Sequence, residues 1–209
     1  MSVVRTFLKL LLGRGVYTSY AQFGEDLIIR PYTQRKKGVY VDVGCYHPIL
    51  YSNTYRLYRQ GWQGVVIDPN KSLKTLFAVF RPRDTFIHAA VGEQGKGTYV
   101  TFEDGAYNTF DTELAKTYEK RSRRIGTYSV SLHPLSELLD GIERIDVLSI
   151  DVEGYDLEVL KTHNWSVVPG LVIIETRPDS EAGVFLYSKG YELIGMTKLN
   201  SLFRHPSAV

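Results

Sequence analysis

Cysteine is almost absent from this sequence. The 209 residues contain one cysteine, Cys45, so no disulfide can form within the chain, and a reducing compartment such as the cytoplasm suits it. Acidic and basic residues nearly balance at a net charge of +2, which is too small to favour a nucleic-acid partner. The sequence also lacks a run of about 20 apolar residues, so no membrane-spanning helix is predicted.

The composition is otherwise that of an ordinary soluble globular protein, with 44% hydrophobic and 23% charged residues. No repeat, low-complexity tract or linker interrupts the sequence, so residues 1–209 are predicted to form a single domain. An amphipathic helix is predicted within residues 1–15, because apolar residues recur on one helical face of the segment 2–12. That helix either packs on the domain or contacts a membrane or a partner, so the predicted location is cytoplasmic, with peripheral membrane association as the alternative.

Apolar, β-branched runs alternate with helical patterns along most of the chain. Because the runs are nearly all apolar, we expect strands that are buried on both faces, as in a parallel sheet. The predicted fold is α/β, with a mostly parallel central sheet, helices on both faces and a C-terminal antiparallel strand pair. Core strands are predicted at about 38–44, 64–68, 84–92, 145–153 and 170–175, and the closing pair at 190–196 and 199–204.

A more irregular stretch, about 96–132, interrupts this alternation. It reads as two strands separated by a loop and a polar helix, and we predict that this insert contacts the acceptor substrate, since loops carry specificity. Its basic cluster of Arg121, Arg123 and Arg124 has two interpretations: a solvated helix face, or a contact for an anionic substrate or membrane surface.

Acidic residues end four of the predicted core strands: Asp42, Asp68, Asp151 and Glu175. The carboxyl ends of parallel strands meet at one edge of a sheet, so these side chains are expected to converge. Clustered carboxylates repel one another unless a cation lies among them. A sulfonium cofactor, a metal ion or an amine substrate would each supply that charge.

The phosphate-binding motifs of nucleotide enzymes are missing. Gly44 is followed by Cys-Tyr-His-Pro rather than by a Gly-x-Gly-x-x-Gly pattern, and there is no Walker loop. A cofactor that has a ribose but no phosphate fits better, and S-adenosylmethionine is one. Asp68, at the end of the next strand, is placed to bind a ribose diol, although it could instead cap the following helix.

Four motifs in this order carry a family resemblance: QFGED at 22–26, VDVGCYHP with SNT within 41–54, GWQGVVIDPN at 61–70, and LSIDVEGYDLEVL at 148–160. Over about Gln22 to Phe185, the sequence resembles FkbM-type S-adenosylmethionine-dependent methyltransferases. The resemblance implies a Rossmann-like methyltransferase fold and O-methylation of a hydroxyl on a sugar, glycan, glycolipid or polyketide acceptor. The glycine-rich turn keeps only Gly44, so the methionine end of the cofactor would be held differently, by Asn53 or Thr54.

The resemblance also implies roles for individual residues. Methyl transfer depends mainly on alignment, and a base must take the proton of the acceptor hydroxyl. The first candidates for that base are Asp151 and Glu153, which would face the reacting methyl group. His47 is the next candidate, or else a turn histidine bonded to the backbone. Asp42 and Gly44 would line the methionine end, Asp68 would bind the ribose, and Ala90 and Val91 would lie near the adenine.

Several alternatives remain open at this stage. The carboxylates of Asp151, Glu153 and Glu175 would suit Mg²⁺, although their spacing is not diagnostic. The acids of the QFGED motif and Gln22 either close over the cofactor or simply begin a helix. The alternative functions are a nucleotide- or NAD-binding oxidoreductase or epimerase, and a non-catalytic interaction module of the same fold.

Overall fold

The structure is a computed structural model, and it describes residues 17–35 and 37–207. The N-terminal helix predicted within 1–15, and the membrane contact predicted for 2–12, lie outside the described residues. Within the part that is described, no helix has both the length and the apolar character that crossing a bilayer would require.

The described residues form short strands and helices in alternation. The strands are β1 (Val39–Val43), β2 (Gln63–Ile67), β3 (Thr85–Ile87), β4 (Ala90–Val91), β5 (Gly95–Phe102), β6 (Arg124–His133), β7 (Val147–Ile150), β8 (Leu171–Ile174), β9 (Glu192–Met196) and β10 (Ser201–Arg204). The helices are α1 (Glu25–Ile28), α2 (Tyr55–Arg59), α3 (Leu73–Phe80), α4 (Thr112–Tyr118), α5 (Leu135–Leu138), α6 (Asp156–Lys161) and α7 (Glu181–Ser188), with 3-10 turns at Arg30–Tyr32 and Gly105–Tyr107.

Seven strands form the central sheet in the order β3-β2-β1-β7-β8-β10-β9. The first five are parallel, and β10 runs antiparallel to both β8 and β9. Val43 at the end of β1 pairs with Ile67 and with Ile150, so three parallel strands end at one level. The predicted Rossmann-like α/β fold, with its closing antiparallel pair, is confirmed.

The alternation of side chains along the strands of the central sheet produces one apolar core on each of its faces. On one face, Val41 and Val43 of β1 pack with residues of α5, α6 and α7. On the other face, Tyr40 packs with Leu57 of α2 and Phe77 of α3. Burial of apolar surface stabilises the fold by about 25 cal/mol per Å². Both faces of the sheet are therefore covered, as the nearly all-apolar strands predict.

The prediction of one strand over 84–92 is wrong in its extent. Residues Thr85–Ile87 pair with β2 in the central sheet, whereas Ala90–Val91 pair with Leu132 and His133 of β6 in a second sheet. The apolar pattern is continuous across His88, so hydrophobicity alone does not reveal that the chain changes sheets there. As a result Ala90 and Val91 are buried in the second sheet rather than at the edge of the central sheet.

The insert predicted at about 96–132 is mostly regular structure. Its strands β5 and β6 pair antiparallel, and β4 adds a third strand to this smaller sheet. Asp111 caps the N-terminus of helix α4, and its carboxylate accepts hydrogen bonds from the backbone N–H groups of Glu113 and Leu114 at 2.8 and 2.9 Å. We call β4, β5, β6, α4 and the turn Gly105–Tyr107 the second layer.

Candidate active site

A cavity of about 710 Å³ lies between the carboxyl ends of the parallel strands and the second layer. Its volume is in the range of small-molecule sites. Most of the residues predicted for the site line it: Asp42, Gly44, His47, Asn53, Asp68, Asp151, Glu153 and Glu175. The expected convergence of the strand-end acids therefore occurs at one place.

Gly44 allows two strand ends to approach each other closely. Its φ of +77° is in the left-handed region, which favours glycine. A Cβ atom at this position would lie 1.8 Å from the carbonyl oxygen of Asp151. The Gly44 N–H donates to the carbonyl of Ile67 at 2.9 Å, which fixes the turn against β2. Glycine is thus required here for contact with the acid-bearing end of β7.

Asp42 is buried beside this turn and is held by neighbouring polar groups. The Thr54 hydroxyl donates to the Asp42 carboxylate, and the Asn53 amide donates to the Ser149 hydroxyl at 3.2 Å. Burial raises the pKa of Asp42, against the opposing effects of the Arg81 charge and the Thr54 hydrogen bond. The SNT motif is thereby joined to β1 and β7 at the cavity edge.

Arg81 holds the SNT motif in place through hydrogen bonds, and this role was not predicted from the sequence. Its side chain is fully buried and forms an ion pair with Asp84 at 2.6 Å. It also donates to the hydroxyls of Thr54 at 3.0 Å and Ser52 at 3.3 Å. An arginine that follows a helix in sequence is usually a solvated one, so the pattern carries no signal for this role.

Asp68 follows β2 and faces the cavity while its carboxylate accepts backbone hydrogen bonds. The Asn70 N–H donates to Asp68 Oδ1 at 2.7 Å. Burial raises the pKa of Asp68 to about 6, although the backbone hydrogen bonds from Asn70 and Tyr46 oppose the shift. The position agrees with a ribose-binding acid, and that role remains a prediction.

Three carboxylates meet at the ends of β7 and β8: Asp151, Glu153 and Glu175. One oxygen atom of each lies within 4.8 Å of the others. Burial raises the pKa of Asp151 well above its ordinary value, and the neighbouring charges of Glu175 and Glu153 add to the shift. Such a cluster favours a cation or a shared proton among its members. A metal ion, or the positive end of a ligand, would fit here.

Glu153 is held in place by residues of the second layer. The Tyr118 hydroxyl donates to Glu153 Oε2, and the Thr109 hydroxyl donates to the Glu153 carbonyl at 2.7 Å. Burial, together with the Glu175 charge, raises the pKa of Glu153 to about 7. A carboxyl group with this pKa can exchange a proton near neutral pH. Sequence reasoning missed Tyr118, because it lies on a helix that reads as polar and solvated.

His47 lines the cavity, but its Nδ1 atom is occupied by the backbone. This atom accepts hydrogen bonds from the N–H groups of Ile49 at 3.1 Å and Leu50 at 3.0 Å. Burial lowers the pKa of the imidazole, which favours the neutral form. A neutral imidazole that accepts at Nδ1 carries its proton on Nε2, so it can donate to a ligand but is poorly arranged to act as a base.

Ala90 and Val91, predicted near the adenine, do not line the cavity. Both are buried, and Val91 belongs to the core on the side of the sheet that α6 covers. Their adenine contact stays a prediction without geometric support. The change of sheets at His88 is the cause, because it carries Ala90 away from the edge.

Of the QFGED motif, Gln22 lines the cavity, whereas Glu25 and Asp26 are fully buried elsewhere. Glu25 accepts hydrogen bonds from Thr197 at 2.7 Å and Asn200 at 2.9 Å, and Asp26 forms an ion pair with Arg56 at 3.1 Å. These two acids join the segment before β1 to the rest of the fold rather than closing over a ligand.

Aromatic side chains form much of the remaining cavity lining, and sequence reasoning did not single out most of them. Six belong to the second layer, to the connection between β5 and α4, or to the loop after β1, where little in the pattern marks them as exposed to a cavity. These are Tyr46, Tyr51, Tyr99, Tyr107, Phe110 and Tyr118. Arg121, from the basic cluster, also lines the cavity.

Residues 42–194 match the family model described as the methyltransferase FkbM domain, which is well over half of the chain. The chain belongs to the FkbM methyltransferase family. The resemblance drawn from the four motifs is therefore confirmed. The matched range contains the carboxylates and Gly44 of the cavity.

Two known proteins are similar to this FkbM-family chain. Methyltransferase sdnD of Sordaria araneosa is 34% identical over 113 residues, which are 50% of this chain and 39% of that protein. The chain thus matches about two fifths of the length of this relative. A crystal structure of a TehB-like SAM-dependent methyltransferase from Corynebacterium glutamicum is 14% identical, with a TM-score of 0.43 over 97% of this chain and 95% of the other.

Proposed function

We propose that this chain is an S-adenosylmethionine-dependent O-methyltransferase that acts on a hydroxyl of a sugar, glycan or glycolipid-type acceptor. The observation that carries the proposal is the convergence of Asp68, Gly44 and the three clustered carboxylates on one cavity, in a chain of a methyltransferase family. The oxidoreductase alternative is not retained, because the family match and the missing Gly-x-Gly-x-x-Gly both argue against it.

The cavity residues fit the parts of this cofactor. S-Adenosylmethionine supplies a methyl group on a positively charged sulfur, and its transfer to a hydroxyl oxygen releases one proton. Asp68 would accept hydrogen bonds from the ribose hydroxyls, and Asn53, beside Gly44, would bind the methionine end. The carboxylates of Asp151 and Glu153 would stabilise the positive charge.

Glu153 is our proposed base for the acceptor hydroxyl. Its pKa of about 7 lets it accept that proton near neutral pH and release it to solvent afterwards. The Tyr118 hydrogen bond orients the carboxylate. Asp151 belongs to the same carboxylate cluster, and a sulfonium placed beside it would favour its ionised form, so we assign it to the charge facing the sulfonium.

The second layer supports a sugar-like acceptor. Tyr107, Phe110 and Tyr118 expose aromatic rings to the cavity, and apolar C–H faces of a sugar ring pack well on such rings. Asn108 also lines the cavity; its Oδ1 atom accepts from the Phe102 N–H at 2.8 Å, which leaves the amide N–H groups as the atoms that would face hydroxyl groups. This wall is where we place the acceptor.

A magnesium site is the second candidate role of the clustered carboxylates. Asp151, Glu153 and Glu175 offer three oxygen ligands within 4.8 Å, and Mg²⁺ prefers oxygen ligands. A metal there would lower the pKa of an acceptor hydroxyl in place of a carboxylate base. Turnover that stops with EDTA and returns with Mg²⁺ would support this role.

Calorimetry of S-adenosylmethionine and S-adenosylhomocysteine binding, with and without Mg²⁺, tests the proposal. We expect both to bind, and we expect Asp68→Asn to weaken binding by about tenfold or more, since it removes a charged hydrogen-bond acceptor. Glu113→Gln, at an exposed acid paired with Lys116, is the control and should bind normally. No binding to the unaltered protein would refute the cofactor assignment. Binding without turnover across an acceptor panel would favour the non-catalytic module.

A further inference from the structure

Arg121 differs from the two other arginines of its cluster. Arg123 pairs with Glu103 at 3.2 Å and Arg124 with Glu119 at 3.1 Å, so both guanidinium groups are neutralised on the outer surface. Within residues 17–35 and 37–207, no carboxylate or hydrogen-bond acceptor contacts the Arg121 guanidinium. Arg121 lines the cavity instead.

The backbone joins Arg121 to the tyrosine that holds the proposed base. Its N–H donates to the Tyr118 carbonyl at 2.8 Å, which continues α4 by one tight turn. The hydroxyl of the same Tyr118 donates to Glu153. Arg121 and Glu153 both line the cavity and are both linked to Tyr118, so a single acceptor molecule could contact both groups.

The guanidinium of Arg121 is exposed and forms no ion pair with the acids that line the same cavity. Asp104, the acid that precedes the turn Gly105–Tyr107, accepts instead from the Ala106 N–H at 3.1 Å. Guanidinium groups bind phosphate and carboxylate through two parallel hydrogen bonds. An uncharged sugar has no anionic group to accept this pair of hydrogen bonds from Arg121.

We propose that Arg121 binds an anionic substituent, a phosphate or a carboxylate, on the acceptor whose hydroxyl is presented to Glu153. The acceptor class is then a sugar phosphate or a sugar acid rather than a neutral sugar. This inference rests on the proposed function, because it uses the same cavity and the same base.

A competing role for Arg121 would be to bind the carboxylate of the cofactor. The position of Arg121 argues against this role. Gly44 and Asn53, which we assign to the methionine end, lie at the sheet edge, whereas Arg121 follows α4 on the opposite, second-layer wall. The two roles differ in a measurable way, since only a cofactor contact would change the affinity for S-adenosylhomocysteine.

The test uses the full chain loaded with S-adenosylhomocysteine and titrated with glucose 6-phosphate, glucuronate and glucose. We expect at least one of the two anionic sugars to bind more tightly than glucose. Arg121→Gln should weaken that binding by about tenfold or more, the usual effect of losing a charged hydrogen bond. Arg123→Gln, which removes the same charge two residues away, should leave it unchanged. Comparison of the affinities for glucose 6-phosphate and for glucuronate shows whether a phosphate or a carboxylate is preferred.

The outcomes separate the inference from the proposed function. If S-adenosylhomocysteine does not bind the unaltered chain, the proposed function fails, and the inference fails with it. If it binds but neither anionic sugar does, or Arg121→Gln binds them normally, only the inference fails. Weaker S-adenosylhomocysteine binding in Arg121→Gln would assign Arg121 to the cofactor, and an equal loss in Arg123→Gln would reduce the effect to general surface charge. Both results overturn the inference.

Discussion

At the scale of single residues, the environment of Glu153 decides whether the cavity can perform acid–base chemistry. We expect Glu153→Gln to lower the rate of methyl transfer by about 100-fold or more, the usual contribution of a positioned base. Binding of S-adenosylhomocysteine should change much less, because the amide keeps the size of the side chain. Turnover of the unaltered protein should rise with pH through about 7, as Glu153 loses its proton. A rate that persists in Glu153→Gln would move the base role to Asp151.

Tyr118 is expected to tune that pH dependence. Its hydrogen bond stabilises the charged carboxylate and so lowers the pKa of Glu153 against the effect of burial. Tyr118→Phe should therefore shift the rising limb of the pH–rate profile to higher pH. Tyr128→Phe, at an exposed tyrosine of β6, is the matched control. An unchanged limb in Tyr118→Phe would mean that the titrating group is not Glu153.

Arg81 is expected to matter for stability as well as for the site. Arg81→Leu would leave the buried Asp84 carboxylate without its cation and would remove two hydrogen bonds from the SNT motif. Loss of one partner of a buried pair costs about 3–5 kcal/mol. Arg123→Gln, which breaks an exposed pair, should cost about 1 kcal/mol or less. Urea unfolding measures both, and equal costs would contradict the supporting role of Arg81.

At the scale of elements, the turn after β1 is the point at which the fold constrains the site most strongly. Gly44→Ala would combine positive-φ strain with a clash against the Asp151 carbonyl. Gly141 has nearly the same φ, +78°, but no atom of the residues that the structure describes lies within 4 Å of its Cβ position. Gly141→Ala therefore isolates the strain, about 1 kcal/mol, and any greater loss of stability in Gly44→Ala measures the clash. Equal losses would show that the strand ends can separate without cost.

The elements also show how far sequence reasoning reaches. The order of strands and helices could be predicted, because periodicity and Gly or Pro boundaries are local signals. The convergence of Asp42, Asp68, Asp151 and Glu175 followed from parallel topology alone. The split at His88 could not be predicted, since it depends on the pairing of Ala90 with β6, which is far away in sequence. The place of Tyr118 could not be predicted either, because only the docking of the second layer brings it to the cavity. The same docking separates Arg121 from Arg123 and Arg124, for which the sequence left a solvated face and an anion contact as alternatives.

At the scale of the whole molecule, the buried acids make stability depend on pH. Burial raises the pKa of Asp42, Asp68, Asp151, Glu153 and Glu175 above the value of about 4 that such groups have in the unfolded chain. The folded chain therefore holds more protons than the unfolded chain between about pH 4 and 7, and its unfolding free energy falls as pH rises through this window. Urea unfolding of ligand-free protein at several pH values measures the slope. An unfolding free energy that rises with pH would mean that the charges of the buried carboxylates are already neutralised in the folded chain.

The burial of Cys45 has a practical consequence. It is the only cysteine in the sequence, it lines the cavity next to Gly44, and burial raises the pKa of its thiol well above the ordinary value. A thiol-selective alkylating reagent can therefore reach it only when the cavity edge opens. The rate of Cys45 alkylation therefore reports how often the cavity edge opens, and the measurement needs no added label or known acceptor. A molecule that occupies the cavity should lower this rate in proportion to its occupancy, so candidate ligands can be ranked before any turnover is found.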